Sequence, residues 1–269
     1  MRYITILNMS GRICTMLGIF LLVKSPDDYI LAAFLQACTP LIAGIFSIVW
    51  LRKRYTGLFK WPTIGEIINS YKEGWSIFVS SLAVNLYTAT NIVVLGMLTN
   101  NVIVGYYSAA DKLIICVRRG IYAVSDAIYP FISKMMKDDI SKGLQFIKKQ
   151  IFLYLVVGLI SCTSLFFFSD TIVKLLFGAD YNLTVDVLRI LSFVPLAVAI
   201  STVFGEETML PLNMNSAYSR TLVLAAFFSL LSIFPLCYLW GAKGVAMTML
   251  LTEFLIMIIM GGLLRKQLF

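Results

Sequence analysis

Eight runs of mostly apolar residues dominate this chain, at 4–23, 29–51, 75–98, 104–133, 150–169, 184–209, 218–240 and 243–264. Each is close to the length of about 20 residues needed to cross the hydrocarbon core of a bilayer. Hydrophobic residues make up 59% of the 269 and charged residues 13%, against about 45–50% and about 25% in a water-soluble domain. Water cannot solvate such a surface. The sequence therefore predicts an all-α polytopic membrane protein with about eight transmembrane helices.

Lysine and arginine sort between alternate connections. Arg2, the cluster Arg52, Lys53, Arg54, Lys60 and Lys72, the cluster Lys134, Lys137, Lys142, Lys148 and Lys149, then Arg220, Arg265 and Lys266 fall on one side. Only Lys24, Lys174 and Lys243 fall on the other. Basic residues are retained on the cytoplasmic side, so both termini are expected inside. Topology explains the net charge of +8, and no nucleic-acid partner is needed. The longest connection, 52–74, is strongly basic and marks a domain boundary with two spans before it and six after. Pro62 followed by Ile64, Ile67 and Ile68 predicts a short interfacial helix there, anchored by Trp61 and Trp75. Segment 170–181 is too short to cross and is expected on the outer interface.

Catalysis is not expected. Histidine is absent, which removes the commonest general base and metal ligand. The five cysteines, Cys14, Cys38, Cys116, Cys162 and Cys237, lie in apolar runs without CxxC spacing and read as packing residues. No catalytic signature, metal site or phosphate-binding glycine loop stands out, so neither a metal nor a cofactor is expected.

The segment VGYYSAADKLIICVRRGIYAVSDAIYPFIS (104–133) departs from the apolar pattern by carrying five charges. At about 100° per residue, Tyr107, Ser108, Asp111, Lys112, Arg118, Arg119, Tyr122, Ser125, Asp126, Tyr129 and Ser133 occupy one stripe about 140° wide. Neither arginine nor Lys112 has an acid three or four residues away, the spacing an ion pair along one helix needs. A charge at bilayer depth costs about 2.5–3.5 kcal/mol on insertion scales. Its partners must therefore come from other helices, water or an anionic substrate. One reading pairs these cations with Glu206, Glu207 or Glu253 and makes them structural. The other makes Lys112, Arg118 and Arg119 the substrate-binding cations of a hydrated cavity, because guanidinium forks match phosphate oxygens. Tyr107, Ser108, Asp111, Tyr122, Ser125, Asp126 and Tyr129 would then line it, and Glu206, Glu207 and Glu253 would be coupling groups or counter-ions. Adjacent Glu206 and Glu207 diverge by about 100°, so only one should face the charged helix squarely. Arg12 and Arg189 are further intramembrane cations, and Pro195, Pro211 and Pro235 should kink or end helices.

That segment, together with LLFGADYNLTVDVLRILSFVP (175–195), resembles the Wzx-type O-antigen flippases of the multidrug/oligosaccharidyl-lipid/polysaccharide exporter superfamily. The resemblance is strongest from about residue 64 onward. It implies movement of undecaprenyl-diphosphate-linked O-units across the bacterial inner membrane for lipopolysaccharide synthesis. The implied mechanism is alternating access around a central cationic cavity between two six-helix lobes. Lys112, Arg118 and Arg119 would meet the diphosphate or acidic sugars, and other O-antigen assembly proteins would be partners. It also implies that 75–269 is a complete C-terminal lobe and 1–51 the last two helices of an N-terminal lobe, so an N-terminally truncated chain is expected. Three alternatives are a cation-coupled drug exporter with a more acidic and aromatic cavity, an inactive remnant, and a membrane glycosyltransferase or polymerase. The last should carry a large periplasmic loop, which the sequence lacks.

Overall fold

The computed structural model describes residues 2–25, 28–54, 62–178 and 180–268, and no strand occurs among them. Within lipid a helix satisfies its backbone groups without help from neighbours. The helices are α1 (Arg2–Leu22), α2 (Tyr29–Arg54), α3 (Ile64–Leu98), α4 (Asn101–Asp138), α5 (Ile140–Phe167), α6 (Ser169–Phe177), α7 (Asn182–Leu191), α8 (Val194–Phe204), α9 (Asn215–Trp240) and α10 (Ala242–Leu268). A five-residue π-helical turn, Gly205–Met209, extends α8.

Among the described residues five stretches are long and apolar enough to cross a membrane: Gly74–Leu98, Ile140–Phe167, Asn182–Met209, Asn215–Trp240 and Ala242–Arg265. The 38 residues of α4 give about 57 Å of helix, but its charges set it apart from those five. Large apolar side chains such as Phe152, Phe227 and Leu231 point outward from α5 and α9. An outer surface of that kind, on helices of this length and apolarity, suits the acyl chains of a bilayer. The chain is an all-α polytopic membrane protein.

The chain divides into two compact units, Met1–Ile67 and Ile68–Phe269. In the first, α1 packs on α2, and the Asp28 carboxylate accepts from the backbone N–H groups of Lys24 and Ser25 at 3.0 Å to close the corner between them. Trp61, the expected interfacial anchor, lies outside the described residues, as do 55–60. The segment expected as a separate interfacial helix is instead the first part of α3. A reciprocal capping box starts it: the backbone N–H of Thr63 donates to Glu66 Oε2 at 2.8 Å, and that of Glu66 to Thr63 Oγ1 at 3.4 Å. No proline interrupts the 35 residues that follow.

In the second unit α8 is central, packing on α4, α5 and α10, while α9 and α10 form the most closely packed pair. Ser192 and Phe193 break the long apolar stretch into α7 and α8. Pro195 sits in the first turn of α8, where its missing N–H goes unneeded. The nine-residue α6 is too short to cross and buries Ser169 and Val173. α5 meets α8 at Gly158, where a Cβ would lie 2.9 Å from Leu196 Cδ1 and 3.0 Å from Leu196 Cα. Gly158→Ala is therefore expected to lower stability by about 1–3 kcal/mol through overpacking, read as a lower melting temperature in detergent.

At the α4–α5 corner Asp139 caps α5, accepting from the backbone N–H groups of Ser141 at 2.9 Å and Lys142 at 3.3 Å. The hydrogen bond from the Lys142 backbone, first among several, holds this carboxyl below the usual aspartate range. A depressed folded-state value means that the cap stabilises fully above the unfolded value of about 3.9 and is lost as pH falls through the folded value. Protection of the Ser141 and Lys142 amides from hydrogen exchange, taken relative to the intrinsic rate at each pH, should fall on acidification below about pH 4. Asp139→Asn, which caps without titrating, should remove that loss of protection.

Candidate functional site

The buried seam of α4 runs through Tyr107, Ile114, Arg118, Ile121, Ser125 and Ile132. It coincides with one edge of the polar stripe, not with its centre. Arg119 and Lys112 stand about 100–120° round the helix from Arg118 and are exposed in this chain. Neither has an ion-pair partner among the described residues. Asp111 and Ser108 are half-buried, and the Tyr107 hydroxyl lies 3.8 Å from the Met249 sulfur on α10. Of the other cations, Arg12 is exposed, and exposed Arg189 donates through Nε to Ser169 Oγ at 3.1 Å.

Arg118 is enclosed, with 7% of its surface exposed. Its Nη2 lies 3.2 Å from Glu253 Oε1 on α10 and donates to the Tyr122 hydroxyl at 3.3 Å. The Tyr87 hydroxyl on α3 donates to the same Glu253 oxygen at 3.2 Å. One carboxylate oxygen thus ties α3, α4 and α10 together. The structural pairing anticipated for Glu253 exists, and it involves Arg118 alone.

Beside this pair opens a cavity of about 480 Å³. α3 forms one wall, contributing Ser80, Asn85 and Tyr87, while α4 contributes Tyr122, Ser125, Asp126 and Tyr129. Ser201 and Thr202 from α8, Glu206 from the π-helical turn, Tyr218 from α9 and Glu253 from α10 add to its polar surface. The lining carries three carboxylates and, among the described residues, no lysine or arginine. Tyr107, Ser108, Asp111, Lys112 and Arg119 do not line it, and Arg118 lies behind Tyr122 and Glu253.

The π-helical turn separates the two adjacent glutamates. Leu210 N–H donates five residues back to Gly205 C=O at 3.1 Å, and Thr208 Oγ1 donates to Val203 C=O at 2.7 Å. Glu206 enters the cavity, whereas Glu207 is fully buried and accepts from the Tyr154 hydroxyl of α5 at 2.7 Å. Glu207 Oε2 has no hydrogen-bond partner, nor has Gln150 Oε1 one turn before Tyr154. Gly205 has no side chain because the Tyr218 ring occupies that space: a Cβ would lie 2.6 Å from Tyr218 Cε2. Close approach at this one position seats Tyr218 against the turn and so in the cavity wall.

Sequence reading missed the α3 wall and Tyr218. A signal for α3 was present: Ser80, Tyr87 and Asn91 recur at three- to four-residue multiples within an apolar helix, and all three are buried. Tyr218 follows from packing against Gly205 and has no comparable pattern.

A buried pair broken by removing one partner leaves an uncompensated charge and costs about 3–5 kcal/mol. Glu253→Ala and Arg118→Ala are each expected to destabilise the chain by that amount. Replacing both by apolar residues of similar size should cost less than either single change. Thermal melting of the four proteins in detergent measures the cycle.

Residues 1–136 match the family described as "Polysaccharide biosynthesis protein". Among curated relatives, a "Putative O-antigen transporter" of Shigella dysenteriae is 31% identical over 95% of this chain and 63% of its own length. A protein of the same description from Escherichia coli (strain K12) is 29% identical over 99% of this chain and 64% of its own length. The "Capsular polysaccharide biosynthesis protein CapF" of Staphylococcus aureus is 27% identical over 66% of this chain and 45% of its own. The chain spans less than two thirds of the length of each of these relatives. No solved structure matches it. These similarities bear out the resemblance read from residues 104–133 and 175–195, and with half of its residues matched the chain belongs to the polysaccharide biosynthesis protein family.

Proposed function

We propose that this chain takes part in moving undecaprenyl-diphosphate-linked O-antigen oligosaccharide units across the bacterial inner membrane by alternating access, with both termini cytoplasmic. The observation that carries the reading is a polar cavity of about 480 Å³ set among helices whose outer surfaces are apolar. A span that only anchors has no reason to hold three carboxylates and four tyrosines around open space, because polar groups at bilayer depth are costly unless they face a partner or water. The relatives described as O-antigen transporters support the same reading, as does the sorting of basic residues between alternate connections. Of the three cations in the polar stripe of α4, Lys112 and Arg119 have no ion-pair partner among the described residues, so they are assigned to the diphosphate. Arg118 is assigned to holding the cavity wall through Glu253.

A second reading, export of an organic cation, draws on the acidic and tyrosine-rich lining. Expression in a bacterial host lacking its own O-unit transporter tests the two together. Restored O-antigen display, seen on lipopolysaccharide gels, supports the first reading. Arg119→Ala and Lys112→Ala should then cut display at least about tenfold at unchanged protein level. Raised tolerance to cationic drugs without restored display would favour the second.

A further inference from the structure

We propose that the cavity between α3, α4, the π-helical turn, α9 and α10 is a sugar-ring subsite. It accepts neutral or amine-bearing rings and disfavours acidic ones. This rests on the transport reading above and adds the charge class of the ring that the cavity takes.

The sign of the lining charge comes first. Glu253 is neutralised by Arg118 at 3.2 Å. Asp126 and Glu206 also line the cavity and have no ion-pair partner among the described residues. Two carboxyl groups without a cation face the open volume. A carboxylate-bearing sugar entering it would lose water and meet like charge, which selects against it. The same repulsion turns the diphosphate away from this cavity and toward Lys112 and Arg119, the exposed edge of α4.

The tyrosines supply the other half. Tyr87, Tyr122, Tyr129 and Tyr218 border the space, and each offers an apolar ring body with a polar tip. A pyranose has the complementary form, with apolar C–H faces and a rim of hydroxyl donors. Carboxyl oxygens accept hydrogen bonds, so Asp126 and Glu206 suit hydroxyl or ammonium donors. An ammonium gains further from the tyrosine faces and from charge-assisted hydrogen bonds. The volume of about 480 Å³ lies within the range of about 300–1,000 Å³ typical of small-molecule pockets.

The test uses the purified full chain in nanodiscs of uncharged lipid and three matched probes: methyl glucosaminide, methyl glucoside and methyl glucuronide. Binding is measured by isothermal titration and by saturation-transfer NMR. The glucuronide is expected to bind at least about tenfold more weakly than the glucosaminide. The double variant Asp126→Asn, Glu206→Gln should bring the three within about threefold of one another at an unchanged melting temperature. If the double variant does not fold, each single variant should reduce the discrimination at least about threefold. Equal binding of the three probes, tighter binding of the glucuronide, no binding of any, or discrimination that survives in the folded variants overturns the proposal. O-antigen display is scored separately with the same chain. Restored display without charge discrimination sinks only the subsite, and discrimination without restored display sinks only the transport reading.

Discussion

An arginine in the middle of a membrane-spanning bundle needs an anion, and Glu253 supplies it. The rest of this site is arranged around that requirement. The ion pair joins α4 to α10, and Tyr87 brings α3 to the same oxygen. Because desolvation nearly offsets the attraction between buried charges, such a pair adds little net stability over apolar packing. It does fix a geometry: three helices must meet at one depth and in one rotation, and apolar side chains sliding past one another would not require that. The cavity lies where these helices are held together at one point and part beside it.

The all-helical character and most of the element boundaries were legible in the sequence, because runs of apolar residues have few other ways to satisfy backbone and side chains in lipid. The stretch expected at 218–240 emerged as Asn215–Trp240, and 243–264 as Ala242–Leu268. The polar stripe of α4 was also readable, but its facing was not. Apolar residues that touch lipid and apolar residues that touch a neighbouring helix look alike, so Ile114 and Ile121 carried no mark of the seam they form. Placing the seam at one edge of the stripe is what separates Arg118, which is enclosed, from Arg119, which is not.

Charge sign at the site was similarly hidden. Three cations on one helix read as a cationic wall, yet the cavity of this unit is bordered by Asp126, Glu206 and Glu253. Two of these come from distant helices, and which acids reach a shared space is a property of packing. The divergence of Glu206 and Glu207 could be anticipated from helical geometry alone. What could not be anticipated was that Glu207 would be fully enclosed and paired with Tyr154 of α5, since the helix there is wider than an α-helix.

That widening makes the length of the chain, as much as its chemistry, a determinant of what the cavity presents. The turn at Gly205–Met209 takes up one residue more than an α-helical turn would, so the extra residue is absorbed locally and only the side chains of the turn itself are redistributed around the axis. A sister sequence with one position fewer here would close an ordinary turn, and Glu206 and Glu207 would no longer divide between the cavity and Tyr154 as they do. A single-codon insertion or loss can thus change which carboxyl group borders the cavity while every hydrophobic span stays intact.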